Sequence, residues 1–158
     1  MGRLAAVITV SDGVAAGERD DGSGEALESM LAGAGYQVSR ALVPDEADQI
    51  GQAILTAAQS HSLVVTTGGT GFGLRDVTPE ATSAILERHA PGLVQAMIAR
   101  GMESTPMAAL TRATAGTVGN TLVVNLPGSP KGATENLGAI LEVIPHALQL
   151  LEGDNRHH

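Results

Sequence analysis

Residues 62–71, Ser62-Leu63-Val64-Val65-Thr66-Thr67-Gly68-Gly69-Thr70-Gly71, decide the fold class. A short apolar run that empties straight into a glycine turn reads as a strand buried on both faces, as in a parallel sheet. The same pattern stands at the start of the chain, where 4–10 (LAAVITV) ends in Ser11-Asp12-Gly13. A second strand is read at 36–43 (YQVSRALV), which stops at Pro44-Asp45. Between these runs lie helical patterns. Leu27, Met30, Leu31 and Ala34 share one face of 24–34, and Ile50, Ala53, Ile54 and Ala57 share one face of 46–59. Strands alternating with single helices predict βαβ units, which the right-handed crossover rule places on both faces of a mainly parallel sheet.

The second half reads less regularly. Thr78-Pro79 predicts a helix start, with Thr78 as cap and the helix running to about Arg88. A further helix is expected over 92–101. Gly119-Asn120, between 112–118 (RATAGTV) and 121–126 (TLVVNL), reads as a hairpin turn, so one strand is expected to be antiparallel. A last helix over 131–151 should kink or divide at Pro145. The expected fold is a single three-layer α/β/α domain spanning residues 1–158, with a mostly parallel central sheet and one antiparallel hairpin strand.

Composition narrows the function. Seventeen acidic against nine basic side chains give a net charge of −8, which disfavours a nucleic-acid binder. Tyr36 and Phe72 are the only aromatic residues, so base-stacking platforms are not expected. The absence of cysteine excludes disulfides, thiol catalysis and cysteine zinc sites. No apolar run approaches the roughly 18 residues of a membrane span, and the run after Arg3 is too short for a signal peptide. A cytoplasmic location without membrane association is expected. His61, His89 and His146 lack metal-ligand spacing. The terminal His157 and His158 are left out of any site.

Open parallel sheets bind ligands beyond the carboxyl ends of their strands. The exits here are Ser11-Asp12-Gly13, Pro44-Asp45-Glu46, Thr67 to Gly71, and Asn125 to Lys131. Glycines in the third let backbone amides close on a phosphate, and Thr67 and Thr70 add hydroxyls. The spacing is neither a P-loop nor a dinucleotide fingerprint. Asp45 and Asp76 are hard oxygen donors suited to a divalent cation. Against this, Asp45 is also well placed to cap the helix after it, and Arg75 is a candidate partner for Asp76 or a phosphate. Lys131, the only lysine, stands at a helix start where the dipole disfavours a cation, which suits a phosphate contact. Asp20 to Gly24 is expected mainly to cap the first helix. Met97, Met102 and Met107 read as core or interface filler.

The stretch VVTTGGTGFGLRDVTPEA (64–81) resembles the signature of the molybdenum-cofactor biosynthesis family, which includes the Mog and MoaB proteins and the G domains of gephyrin and its plant counterpart. The likeness extends over VITVSDG (7–13), VPDE (43–46) and NLPGSPKGATENL (125–137), in order and across nearly the whole chain. The resemblance implies a molybdopterin adenylyltransferase that uses ATP, molybdopterin and Mg²⁺ and releases pyrophosphate. It implies Asp45 and Asp76 as catalytic and metal-positioning residues. Gly68, Gly69, Thr70 and Gly71 would hold phosphates with Pro127, Gly128, Ser129 and Lys131. Ser11, Asp12 and Thr67 would line the pocket. A homotrimer and a separate molybdate-insertion protein are further implications. The alternative is a MoaB-type trimeric molybdopterin carrier without efficient adenylyl transfer.

Overall fold

The computed structural model describes residues 2–153, so His157 and His158 lie outside the described residues. Six strands form one sheet in the order β2-β1-β3-β6-β5-β4. They are β1 (Leu4–Val10), β2 (Gln37–Val43), β3 (Leu63–Thr67), β4 (Arg88–His89), β5 (Ala115–Val118) and β6 (Thr121–Leu126). The helices are α1 (Asp12–Ala15), α2 (Gly22–Gly33), α3 (Ala47–Ala58), α4 (Thr78–Ser83), α5 (Pro91–Ser104), α6 (Pro130–Ile140) and α7 (Ile144–Leu151).

Strands β2, β1, β3 and β6 are mutually parallel. The period-2 alternation of a strand explains why the apolar runs of β1, β3 and β6 are continuous, whereas β2 lies at the edge and is half exposed. Ala5, Val7, Leu63, Val65, Leu122 and Val124 point to one face, where Leu27, Leu31, Met97, Leu137, Ile140, Ile144 and Leu148 complete a core. Ala6, Ile8, Val10, Val64 and Val123 point to the other, against Ile50, Ile54 and Ala81. Each alternate residue therefore meets a helix layer, and the expected α/β/α sandwich is what forms.

Register places the functional edge. Val10 pairs with Val43, Thr9 with Thr67, and Thr67 with Leu126, so four parallel strands end level with one another. Everything that follows them in sequence opens on a single rim.

Several expectations are corrected. The helix from Thr78 ends at Ser83, well short of Arg88, because Arg88 and His89 pair antiparallel with β5 and form an edge strand. Strand β5 is antiparallel to both β6 and β4, so it is the one strand that runs against the others, as expected, and β4 beyond it runs with the parallel set. Strand β5 begins at Ala115, since Arg112 is turned toward the glycine loop instead of the ladder. Thr78 is not a cap; its hydroxyl donates to the Gly68 carbonyl at 2.9 Å, and Val77 precedes the helix without a side-chain bond. The last helical stretch divides between Ile140 and Ile144, leaving Pro145 in the first turn of α7 where its missing N–H costs nothing. The segments α1 and the 3-10 turn Pro106–Leu110 had no periodic signal. Met97 is buried in the core as expected, whereas Met102 and Met107 are exposed.

Candidate active site at the strand exits

Two cavities open on the rim. One, of about 570 Å³, is lined by Ser11, Asp45, Thr67, Gly68, Gly69, Asp76, Gly128 and Ser129, with Arg19, Asp20 and Asp21 at its border. The other, of about 470 Å³, takes in Gly69, Thr70, Gly71, Asp76, Pro127, Gly128 and Ser129, then runs over Met97, Ile98, Met107 and Leu110 toward α6. Gly69, Asp76, Gly128 and Ser129 belong to both and form their common wall. Residues from all four parallel exits meet here.

The glycine turn is held by its backbone shape. Gly68 and Gly69 have φ of 102° and 70°, in the region that favours glycine. A Cβ on Gly68 would lie 2.3 Å from the Val10 carbonyl oxygen, and one on Gly69 would lie 2.3 Å from Thr78 Oγ1 and 3.2 Å from Asp45 Oδ1. Among the described residues the amides of Gly69, Thr70 and Gly71 have no acceptor. Unspent amides on a loop of this shape are the donors an anion needs. Arg112 supports the turn from behind, donating from Nε to the Gly71 carbonyl and from Nη2 to the Asp76 carbonyl, both at 2.7 Å. Its amide also donates to the Thr70 carbonyl at 2.8 Å.

Asp45 is not a helix cap: Glu46 occupies that position and makes no side-chain cap bond. The Asp45 carboxylate instead accepts the Asp12 amide at 2.9 Å, and the Asp12 carboxylate accepts the Asp45 amide at 2.9 Å. Burial raises the Asp45 carboxyl above the ordinary carboxylate range. The Asp12 amide lowers it, while the charges of Asp12 and Asp76 raise it further. Asp76 accepts the Gly73 amide at 2.9 Å, which turns its loop toward the common wall. Arg75 does not pair with Asp76. It bridges Asp12 at 3.1 and 3.2 Å and Glu46 at 3.0 Å. That bond and the Asp45 amide hold the Asp12 carboxyl below its usual value.

Other expected site residues are placed as follows. Thr67 is buried and its hydroxyl donates to the Pro127 carbonyl at 2.6 Å, so it ties the third exit to the fourth. Ser11 accepts from Val14 N–H at 3.2 Å and from Arg19 at 2.8 Å. Ser129 caps α6 by accepting the Gly132 amide at 3.1 Å. Asp12 borders the site through Asp45 without lining either cavity, and Lys131 stands exposed in the first turn of α6, outside both linings. Asp21 caps α2 at Gly24 N–H, accepts the Thr9 hydroxyl and pairs with Arg40, a structural role in keeping with its expected one. Sequence reading missed Arg112 and Asn136. The signal for Asn136 was a polar residue on the apolar stripe of α6 beside Ala133 and Leu137.

Among the described residues no three His, Cys, Asp or Glu side chains stand together as a metal cage. Two carboxylates beside a phosphate-sized turn suit Mg²⁺, which takes one or two carboxylates and completes its shell with water and substrate phosphate.

Residues 6–146 match the MoCF_biosynth family, described as a "Probable molybdopterin binding domain". The chain belongs to this family. The molybdopterin adenylyltransferase of Helicobacter pylori strain J99 is 35% identical over 153 residues, covering 94% of this chain and 87% of its own length. The molybdenum cofactor synthesis protein cinnamon of Drosophila melanogaster is 40% identical over 152 residues. That match covers 94% of this chain but only 25% of cinnamon, so the chain spans about a quarter of that relative. Among solved structures, the molybdopterin biosynthesis enzyme MoaB of Thermus thermophilus superposes with a TM-score of 0.90 at 47% identity, covering 96% of this chain and 97% of its own. A MogA structure gives a TM-score of 0.90 at 36% identity, covering 94% of this chain and 99% of its own. Among the described residues no helix is long and apolar enough to cross a membrane.

Proposed function

We propose that the chain is a molybdopterin adenylyltransferase. The observation that carries this reading is the pair of cavities joined at Gly69, Asp76, Gly128 and Ser129, which offers two ligand-sized spaces with phosphate-binding groups between them. Two substrates that exchange a phosphoryl bond need such a junction. An oxygen of the molybdopterin phosphate attacks the α-phosphorus of ATP. A new P–O–P bond forms, the bond to the β-phosphate bridging oxygen breaks, and pyrophosphate leaves with its electrons. No covalent enzyme intermediate is required, so alignment and charge neutralisation supply the rate.

The chain's own groups divide the work. The amides of Gly69, Thr70 and Gly71 hold phosphate oxygens, Ser129 and the first turn of α6 approach from the opposite wall, and Lys131 attracts the polyphosphate from the rim. Asp45 and Asp76 would hold a Mg²⁺ ion, which would neutralise charge building on the transferred and leaving phosphates. A cation next to Asp45 also relieves the cost of ionising a half-buried carboxyl. The protein is proposed to act in the cytoplasm as a homotrimer and to pass its product to a separate molybdate-insertion protein.

A second reading is a molybdopterin carrier of the MoaB type without efficient adenylyl transfer. The 47% identity to the Thermus MoaB, against 36% to MogA, favours keeping it. The deciding experiment measures pyrophosphate release from ATP with molybdopterin and Mg²⁺. Release that needs all three supports adenylyl transfer. Tight molybdopterin binding with no release supports the carrier. Release without molybdopterin means a nucleotide hydrolase and overturns both.

A further inference from the structure

Asn136 lies in the middle of α6, is 6% exposed, and lines the apolar cavity beside the common wall. Its side-chain amide has no hydrogen-bond partner among the described residues, although one carbonyl and one NH₂ group normally find partners when buried. Its neighbours are spent. Glu135 accepts the Ser104 hydroxyl at 2.6 Å, Thr105 accepts Met107 N–H, and Thr111 accepts Ala113 N–H. Among the described residues Tyr36 Oη is the one wholly sealed side-chain polar atom without a partner, so the Asn136 amide still reaches open space, and that space is the cavity. A Cβ on Gly101 would lie 3.5 Å from Asn136 Oδ1, so helix α5 keeps clear of this amide without satisfying it.

An unpaired amide in an apolar slot costs stability unless a ligand completes it. We infer that Asn136 is a specificity-determining residue that hydrogen-bonds the N–H/C=O edge of the pterin ring. This inference rests on the adenylyltransferase reading above and assigns the apolar cavity to the heterocycle of molybdopterin. A pterin presents a lactam carbonyl next to a ring N–H, the complement of a carboxamide. Met97, Ile98, Met107 and Leu110 give that planar ring an apolar bed, whereas the more polar cavity with Arg19, Asp20 and Asp45 suits a ribose and its triphosphate. Adenine also offers a paired donor and acceptor, and binding affinities separate the two sources.

The test compares full-length wild type with Asn136→Leu and Asn136→Asp. Equilibrium binding is measured with molybdopterin and with α,β-methylene-ATP, and melting temperature is recorded without ligand. The expected result for Asn136→Leu is at least a tenfold rise in the molybdopterin Kd, an unchanged α,β-methylene-ATP Kd, and a melting temperature equal to or above wild type. Asn136→Asp, which keeps an acceptor and loses the donors, should weaken molybdopterin binding as well. Unchanged molybdopterin affinity in the leucine variant, with wild type binding normally, overturns the role of Asn136 and leaves the adenylyltransferase reading intact. Loss of α,β-methylene-ATP affinity alone assigns the slot to adenine and overturns the inference. A wild type that binds no molybdopterin removes both.

Discussion

Asp12 and Asp45 each donate a backbone amide to the other's carboxylate, both at 2.9 Å. The two exits of β1 and β2 are thus clasped by a reciprocal pair of bonds between like-charged residues. The clasp does not treat its members alike. Arg75 reaches Asp12 and holds its carboxyl low, while burial pushes Asp45 up. One member is held ionised by Arg75, while the other carries a carboxyl raised by burial.

For Asp45 the sign of the shift predicts a conflict between stability and turnover. A carboxyl whose folded value is raised binds its proton more tightly in the folded state, so ionising it costs stability at neutral pH. That cost is absent below the unfolded value and grows as pH rises through the folded one. Asp45→Asn keeps an oxygen to accept the Asp12 amide but removes the charge. Its melting temperature at pH 7 is expected to match or exceed wild type, with the advantage fading toward pH 3. Pyrophosphate release should fall at least about tenfold, or about 1.4 kcal/mol of transition-state stabilisation. Asp76→Asn should lose turnover to a similar degree. Thermal melts across pH and a steady-state assay check this, and a folded Asp45→Asn with normal turnover removes the carboxylate from the mechanism.

Asp12 predicts the reverse profile. Its lowered value contributes stability that is present above the unfolded value, about 3.9, and is lost as pH falls through the folded one. Asp12→Asn should therefore melt below wild type at pH 7, and the two curves should converge in acid. Because Asp12 and Arg75 are both exposed, about half a molar NaCl should narrow the gap by screening their bond. A gap independent of both pH and salt points to the amide clasp alone.

The fold was legible where burial imposed a period. Leu63, Val64 and Val65 had to be apolar because successive residues face opposite helix layers, and that pattern announced a parallel sheet. The rim followed, because level parallel strands leave their exits no other place. Partnerships across the rim were not legible. Arg75 is next to Asp76 in sequence yet binds Asp12, 63 residues away, and only register decides that. Asp45 looked like a cap because capping is a local rule, and a long-range amide outcompeted it. The edge pair Arg88–His89 has no period to read, since two residues cannot show one.

Gly68 tests whether the turn depends on close approach or only on backbone shape. Gly17 also has a positive φ, 77°, but a Cβ there meets nothing within 4 Å. Gly17→Ala should lose only the left-handed penalty of about 1–2 kcal/mol. In Gly68→Ala the new Cβ meets the Val10 carbonyl oxygen at 2.3 Å, which belongs to β1 and cannot yield cheaply. It should be less stable than Gly17→Ala by at least about 2 kcal/mol in urea melts. Equal losses mean that the strand exits separate more easily than their packing suggests.

Behind the site, Asn125 is fully buried at the end of β6 and completely paired. Its Nδ2 donates to Thr66 Oγ1 and Thr82 Oγ1, each at 3.0 Å, and its Oδ1 accepts the Thr114 amide at 3.1 Å. This side chain joins β3, α4 and the segment before β5, the three elements that carry the glycine turn and its Arg112 support. Asn125→Leu fills a similar volume but strands the Thr114 amide and removes a donor from two buried hydroxyls. Each buried group left unpaired costs about 1–3 kcal/mol, so a total loss of roughly 2–5 kcal/mol is expected. Asn136→Leu changes the same residue type to the same apolar side chain on the neighbouring helix, where the amide has no partner among the described residues, and should lose none of this. Chemical denaturation of the two variants side by side checks the contrast: comparable losses mean that Asn136 has a partner within the fold, and no loss at Asn125 means that its three bonds are offset by the cost of burying them.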